Sequence, residues 1–446
     1  MRILILLLLV WSSSIAFASG IPAPRIGKYP GYSRVVVDLP SDSSYRVELN
    51  LLAMKVIFPS GIVVADIKKY KYPEFLGYTL EQNADSGVLT LVTPQGVTSR
   101  SGWRLQVLAA GEGKTGSRLV IDFSGAFSDT SPLGLLEPFV FKPENLARNF
   151  SVVVDPGHGG TDPGARGVLQ ESEVNLSVST RVAQTLIDAG VEVTMSRTDN
   201  TVFSDDKRLD LRARADLSKG KDLFVSIHAN ARPASNALTT YGTEVYYFNK
   251  KSQAPVFVTP ANPPKLLALP EVQTAPETSS SSNPTTSLNP NAVETSLPDA
   301  STSSAVEPTP AESSAVTPST VPNSSGGVTV EVPTQAVPVA VALNPSSSPT
   351  SKGVDQVQRS QESLKAASSV LSNMIGATAS LNRGVRTADY LVIKENTAPA
   401  ILVEMGFVTH PIEGAQLKDT NYLDRIAYGI SRGVLEYLDN LPPDTR

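Results

Sequence analysis

Residues Lys251 to Gly353 cannot build a packed core. The segment holds 17 of the chain's 34 prolines and a single aromatic residue, Phe257. Between Leu266 and Ser351 it carries seven acids and no Lys or Arg. A chain of this composition buries too little apolar area to offset its ordering entropy, so it reads as a disordered Ser/Thr/Pro-rich insertion over 251–353. Its placement constrains the fold, because the pattern before it lacks closing elements and those elements follow it.

The interrupted pattern is strand–helix alternation. Val152 to Val154 is a short buried-strand candidate. Val174, Val178, Val182 and Leu186 recur every four residues, as on one helix face, and Gly190 stands where a C-cap glycine belongs. Strands are expected at Val191 to Met195, Leu223 to His228 and Thr243 to Phe248, with a helix over Leu209 to Leu217. After the insertion come a helix over Leu364 to Ile375, a strand over Ala400 to Glu404 and a terminal helix over Tyr422 to Leu438. This predicts an α/β domain over 151–440, a mixed sheet covered by helices on both faces. Without the insertion about 190 residues remain, a normal domain size.

The region before it differs. Over 25–127, short β-branched runs at Arg34 to Asp38, Ile62 to Ala65, Val88 to Val92, Trp103 to Val107 and Arg118 to Asp122 alternate with Gly, Ser, Asp and Asn. Long amphipathic helices are missing. The expectation is a small all-β domain, joined to the α/β domain by a linker over 128–150. It holds no histidine and no evident acid cluster, which suits binding or packing better than catalysis.

The first residues read as an export signal over 1–18. Arg2 precedes an apolar run from Ile3 to Trp11, and Ala16-Phe17-Ala18 fits a small-residue cleavage site. The run is shorter than the roughly 20 residues needed to span a bilayer. The mature protein is therefore expected in the periplasm or cell envelope with no transmembrane span. A formal net charge of −5 argues against a nucleic-acid partner.

Cysteine is absent, which removes disulfides, thiol nucleophiles and thiolate metal sites together. A transition-metal site must then use His, Asp or Glu, and there are three histidines: His158, His228 and His410. In the run Val152 to Leu176, a strand ends at Asp155 and a glycine-dense turn places His158 just beyond it. Asp222 to Asn230 is a buried strand ending on His228, and Pro399 to Phe407 is another ending on Glu404. Ligands bind outside the carboxyl edge of open α/β sheets. Two imidazoles and a carboxylate are the open ligand set of a hydrolytic zinc site, and a further carboxylate is needed to move the proton. Glu171 opens the helix after the His158 turn, but Glu173 competes with it for the ligand role. Glu404 follows Ile-Leu-Val, where an unpaired carboxylate is costly to bury without a purpose. His410, beside Pro411, reads as a loop residue.

These stretches resemble the zinc-dependent N-acetylmuramoyl-L-alanine amidase family of bacterial cell-wall hydrolases, over about 151–248 and 352–438. Its motifs occur in order: the Asp155 to Gly160 turn, Glu171 to Leu176, the Ser-Arg-Thr run at Ser196, Ser226 to Asn230, Gly242 to Tyr247 and Val403 to Phe407. The resemblance implies His158, Glu171 and His228 as Zn2+ ligands and Glu404 as catalytic acid/base, and so selects Glu171 over Glu173. Asn230 and Arg166 are the candidate substrate contacts. The implied reaction is cleavage of the peptidoglycan amide between the lactyl group of N-acetylmuramic acid and L-alanine, serving cell separation or wall turnover. Rival readings are a zinc peptidase cutting within the stem peptide and a non-catalytic wall-binding regulator.

The 25–127 region is similar to the AMIN module of such amidases, through Arg34 to Leu39 and Arg118 to Phe123. That implies envelope binding. Some division-associated members carry an inhibitory helix where the insertion begins here. The expectation is an inert or glycosylated tether; the alternative is that part of it, Leu266 to Glu277, screens the site until an activator protein displaces it.

Overall fold

The computed structural model describes residues 20–41, 43–110, 115–146, 148–266 and 356–443. The expected signal over 1–18 and most of the expected insertion lie outside the described residues.

Short strands build the N-terminal domain: β1 (Arg25–Tyr29), β2 (Tyr32–Leu39), β3 (Arg46–Asn50), β4 (Ala53–Pro59), β5 (Asp66–Lys69), β6 (Gly77–Asn83), β7 (Ser86–Val92), β8 (Trp103–Ala109) and β9 (Ser117–Phe123). Side chains on a strand point alternately to opposite faces. In β2 this buries Val35, Val37 and Leu39 and leaves Arg34, Val36 and Asp38 half-buried. The strands form two antiparallel sheets, ordered β1-β2-β9-β8 and β3-β4-β7-β6-β5. Their inner faces share one core, with Val35, Leu119 and Ile121 from the first and Met54, Val56 and Leu89 from the second. The all-β expectation holds. One of its strands does not: Ile62 to Ala65 makes a single bridge, from Val63 to Ile21, and leaves Ile62 and Val64 exposed. That run has no neighbouring strand to extend a ladder with. β4 and β6, not anticipated, supply much of the second sheet.

The α/β domain contains β10 (Ser151–Pro156), α1 (Glu171–Asp188), β11 (Glu192–Met195), α2 (Lys207–Asp216), β12 (Leu223–Asn230), β13 (Thr243–Tyr247), α3 (Gln356–Thr378), β14 (Asn382–Thr387), α4 (Leu391–Lys394), β15 (Ala400–Phe407), α5 (Pro411–Gln416) and α6 (Thr420–Asp439). The sheet order is β11-β10-β12-β15-β13-β14. Pairings are parallel except that of β13 with β15. Val174, Val178, Val182 and Leu186 of α1 are buried as their spacing predicts, in one core with residues of α3, α6 and the sheet. Gly190 ends the helix region at φ +85°, a conformation glycine adopts without a Cβ penalty. The opposite sheet face carries a smaller core of Val153, Phe224, Ala400, Leu402, Val392 and Ile393 beneath α2 and α4. Both faces are covered, but unequally.

The first residues of the expected insertion are described. Residues 251–266 are mostly exposed and tied to the domain by backbone hydrogen bonds. Val256 exchanges two backbone hydrogen bonds with Val385 of β14, at 2.8 and 2.7 Å, and Ala261 N donates to Ser372 O at 3.0 Å. β14 is an edge strand with backbone groups to satisfy, and this stretch satisfies some of them.

The stretch expected as a linker also packs. Arg100 donates to Asp129 at 2.6 Å and to the carbonyls of Gly376 and Ala377 at 2.8 and 2.6 Å, capping the end of α3. Gln416 of α5 accepts from Ser128 N and donates to Ala126 O, both at 2.9 Å. Gly31, at the β1–β2 turn, faces the His410 ring, where a Cβ would lie 3.3 Å from Cε1. The β domain is thus joined to the α/β domain through buried hydrogen bonds. Among the described residues no helix is long and apolar enough to cross a membrane.

Candidate metal centre

β10 ends at Pro156, and the chain turns back over the sheet edge. His158 takes the left-handed conformation, φ +64°, unusual for a residue with a Cβ. Two arginines hold this turn. Arg197 donates to the carbonyls of Pro156 and Gly157 at 2.9 Å each and to Ser172 O at 2.8 Å. Arg214 of α2 donates to Pro156 O and His158 O, both at 2.9 Å. Arg214 also pairs with the buried Asp155 at 2.9 Å and Asp210 at 2.7 Å. Asp155 accepts from Ser196 and Ser226 as well. Burial alone would raise its carboxyl, but Arg214 and the two hydroxyls hold it below the usual range.

Three side chains converge beyond the turn. Glu171 is the first residue of α1, and its Oε1 lies 3.2 Å from His158 Nε2 and 2.9 Å from His228 Nδ1. Its Oε2 accepts from Ala165 N at 2.7 Å. Burial would raise the Glu171 carboxyl, but the two imidazoles beside it hold it well below the usual carboxylate range. Burial would lower the His158 imidazole, and the carboxylates of Glu171 and Asp162 raise it instead. Two glycines make room. A Cβ on Gly157 would lie 2.2 Å from the His228 ring, and one on Gly164 would lie 2.6 Å from Glu171 Oε2.

Donor atoms of His158, Glu171 and His228 all lie within 4.8 Å of one another. Tetrahedral zinc with bonds of about 2.0–2.1 Å sets its ligands about 3.3 Å apart, close to the spacings from Glu171 to each imidazole. Asp162 accepts from His158 Nδ1 at 3.0 Å, which turns Nε2 toward the cluster. A carboxylate behind a metal-binding imidazole is the usual outer partner of such a ligand. Lys207 pairs with the same Asp162 carboxylate at 3.0 Å. The residues fit zinc.

Glu404 lies next to this cluster. It is the register partner of His228 across β12 and β15, and the register shifts between His228 and Asn230. Its Oε2 is buried with no hydrogen-bond partner. Burial, with the like charges of Glu171 and Glu244, pushes its carboxyl well above the ordinary range, against the opposing charge of Arg232. Glu173 takes no part in the cluster.

A family model described as Amidase_3, N-acetylmuramoyl-L-alanine amidase, matches residues 152–436, well over half of the chain. The chain belongs to this family. N-acetylmuramoyl-L-alanine amidase LytC of Bacillus subtilis (strain 168) is 36% identical over 147 residues, which are 32% of this chain and 28% of that protein. N-acetylmuramoyl-L-alanine amidase AmiC of Neisseria meningitidis serogroup B is 38% identical over 102 residues, 22% of this chain and 23% of that protein. The matches span only about a quarter of each of these relatives' own length.

Other residues of this Amidase_3 chain fall where the sequence alone did not place them. Asn230 has both ends of its amide engaged, Nδ2 donating to Glu244 at 2.8 Å and Oδ1 accepting from Ala231 N at 2.9 Å. Arg166 is exposed on the loop before α1, where its backbone bridges to Gln170. His410 stands apart from the cluster. It is fully buried and is the N-cap of α5, its Nδ1 accepting from Ile412 N and Glu413 N. Asp162, Arg214 and Glu244 were not singled out in the sequence. The Ser-Arg-Thr run did mark Arg197, but its role as clamp of the His158 turn needs the fold.

Proposed function

We propose that this chain is an exported zinc amidase that hydrolyses the peptidoglycan amide between N-acetylmuramic acid and L-alanine. The observation that carries this is the convergence of His158, Glu171 and His228 beside the buried, unpartnered Oε2 of Glu404. Zinc held by those three residues supplies Lewis acidity toward water and the scissile carbonyl. The chain's own groups do the rest. Asp162 fixes the His158 tautomer. Glu404 takes a proton from the attacking water and returns it to the amide nitrogen as L-alanine departs. A carboxyl raised by burial suits a group that must hold a proton between those two steps. Arg166, exposed on the loop that leads into Glu171, contacts substrate at the rim. Asn230 acts through Glu244, which it holds in place.

The N-terminal sandwich is an AMIN-like envelope-binding module in this reading. Support comes from the antiparallel pairing of β2 with β9, which brings the Arg34 and Arg118 runs together at the centre of one sheet. The composition of Met1 to Gly20 supports export. The insertion's place after β13 supports a segment that an activator protein displaces. Deleting residues 267–350, which spares the hydrogen-bonded 251–266, should then raise activity on purified cell wall. Equal or lower activity would overturn that part.

Zinc analysis combined with dye release from labelled cell wall tests the main proposal. The expected result is bound zinc and release that a chelator stops and added zinc restores. Release indifferent to zinc would overturn it.

A further inference from the structure

The sheet face that carries His228 and Glu404 also carries an excess of positive charge. Glu244 of β13 is the register partner of Glu404 and is fully buried. Its carboxylate accepts from Arg383 Nε at 2.9 Å, from Asn230 Nδ2 at 2.8 Å and from the Tyr246 hydroxyl at 3.0 Å, and pairs with Arg386 Nε at 3.0 Å. One carboxylate therefore serves two guanidinium groups and is saturated. A third guanidinium, that of Arg232, lies 5.6 Å from the centre of the Phe407 ring, and Arg383 lies 5.3 Å from the same centre. Among the described residues no carboxylate lies within ion-pair distance of Arg232, although its charge reaches Glu404. Arg383 and Arg386 thus share the one buried carboxylate of Glu244, and Arg232 stands beside them on the same half-buried wall without an ion-pair partner among the described residues.

A structural account uses up Arg383, whose guanidinium also donates to Tyr241 O. It does not use up Arg232 or the terminal nitrogens of Arg386. Guanidinium groups gathered on a half-buried face call for an anion, and a planar carboxylate matches their fork.

The sheet order says which part of a substrate meets this wall. The ligand side chains come from β10, α1 and β12, and Glu404 from β15. β13 and β14 lie beyond Glu404, on the side away from the ligands. A group that protonates a leaving nitrogen stands on the leaving-group side of the scissile bond. The peptide therefore departs toward β13 and β14.

We infer that Arg232 and Arg386, set by Arg383 and Glu244, form a carboxylate subsite for the peptide side of the substrate. The inference rests on the amidase reading of the site. In peptidoglycan the residue after L-alanine is a D-glutamyl group linked through its side chain, so its α-carboxylate is free unless amidated. That carboxylate lies on the order of 6 Å from the scissile nitrogen, within reach of a wall one to two strand spacings of about 4.8 Å from Glu404. The subsite would select unamidated stems.

The test uses two muramyl peptides that differ only in whether this α-carboxyl is free or amidated, with zinc-loaded wild type, Arg232→Met and Arg386→Met. Wild type should favour the free acid by about tenfold in kcat/KM, mainly through KM. In either variant that preference should collapse, while zinc content and thermal stability of Arg232→Met match wild type. Equal cleavage of both peptides by wild type, or a preference that survives in either variant, overturns the subsite while leaving the amidase reading intact. Failure of zinc-loaded wild type to cut either peptide brings down both.

Discussion

His228 and Glu404 face each other as register partners on adjacent parallel strands, and the ladder slips by a residue immediately beyond them. Such irregularities re-aim side chains at the ends of strands. In the proposed mechanism this pairing sets the carboxyl that would carry the proton beside an imidazole that would bind the metal. Glu404→Gln should lower turnover by about 10²–10⁴-fold with bound zinc unchanged, since Glu404 is not among the converging donors. Metal analysis beside a rate measurement checks this. Loss of zinc in that variant would make Glu404 a ligand instead.

Asp162 acts one step further out. Its carboxylate accepts from His158 Nδ1, and burial, which would raise it, is outweighed by His158 and by the donors of Gly164 and Lys207. Asp162→Ala should weaken zinc binding by about 10–100-fold while leaving the fold in place. Competition against a chelator of known affinity measures it. Unchanged zinc affinity would assign Asp162 to the turn alone.

Arg214 is buried between Asp155 and Asp210 and holds the two carbonyls that flank the His158 turn. Arg214→Met leaves both carboxylates without their cation. The expected cost is about 3–5 kcal/mol, read from denaturant unfolding. A change below about 1 kcal/mol, within the range of an exposed pair, would show that the network is not needed for stability.

His410 predicts a pH dependence. Burial pushes its imidazole down to about 4 from 6.5. The unfolded state therefore binds the extra proton first, so this contribution is full above about pH 6.5 and is lost as pH falls toward 4. Glu413, whose N–H His410 caps, works in the opposite sense. Burial raises its carboxyl to about 7 from 4.5, so it adds stability as pH falls through that range. The two nearly cancel in wild type. His410→Asn keeps a capping side chain but removes the acid loss, and should gain about 2 kcal/mol relative to wild type between pH 7 and 5. Parallel denaturation curves at the two pH values measure this. A difference that does not change with pH would contradict it.

The metal centre was legible because its residues are marked locally. A dense glycine turn flags His158, and buried strands run into His228 and Glu404. The choice of Glu171 over Glu173 came from family resemblance, and its physical basis is position. Glu171 is the first residue of α1 and points back at both imidazoles. What supports the centre was not legible. Arg214 reaches across 59 residues to Asp155, and Arg383 across 139 to Glu244. No local pattern marks such a pair. The antiparallel insertion of β13 between β15 and β14 is also a tertiary choice, and it alone brings Glu244 beside Glu404. In the β domain, Ile62 to Ala65 has strand composition but makes only a single bridge, while β4 gains its place by pairing with β3 and β7.

The amidase reading meets its most direct test in the products. Zinc-loaded protein is incubated with purified peptidoglycan, and the released fragments are identified by mass spectrometry. The account predicts intact stem peptides beginning with L-alanine, together with glycan strands carrying a free lactyl carboxylate, and neither after zinc is removed. Peptides cut within the stem, or the same products without zinc, would contradict it.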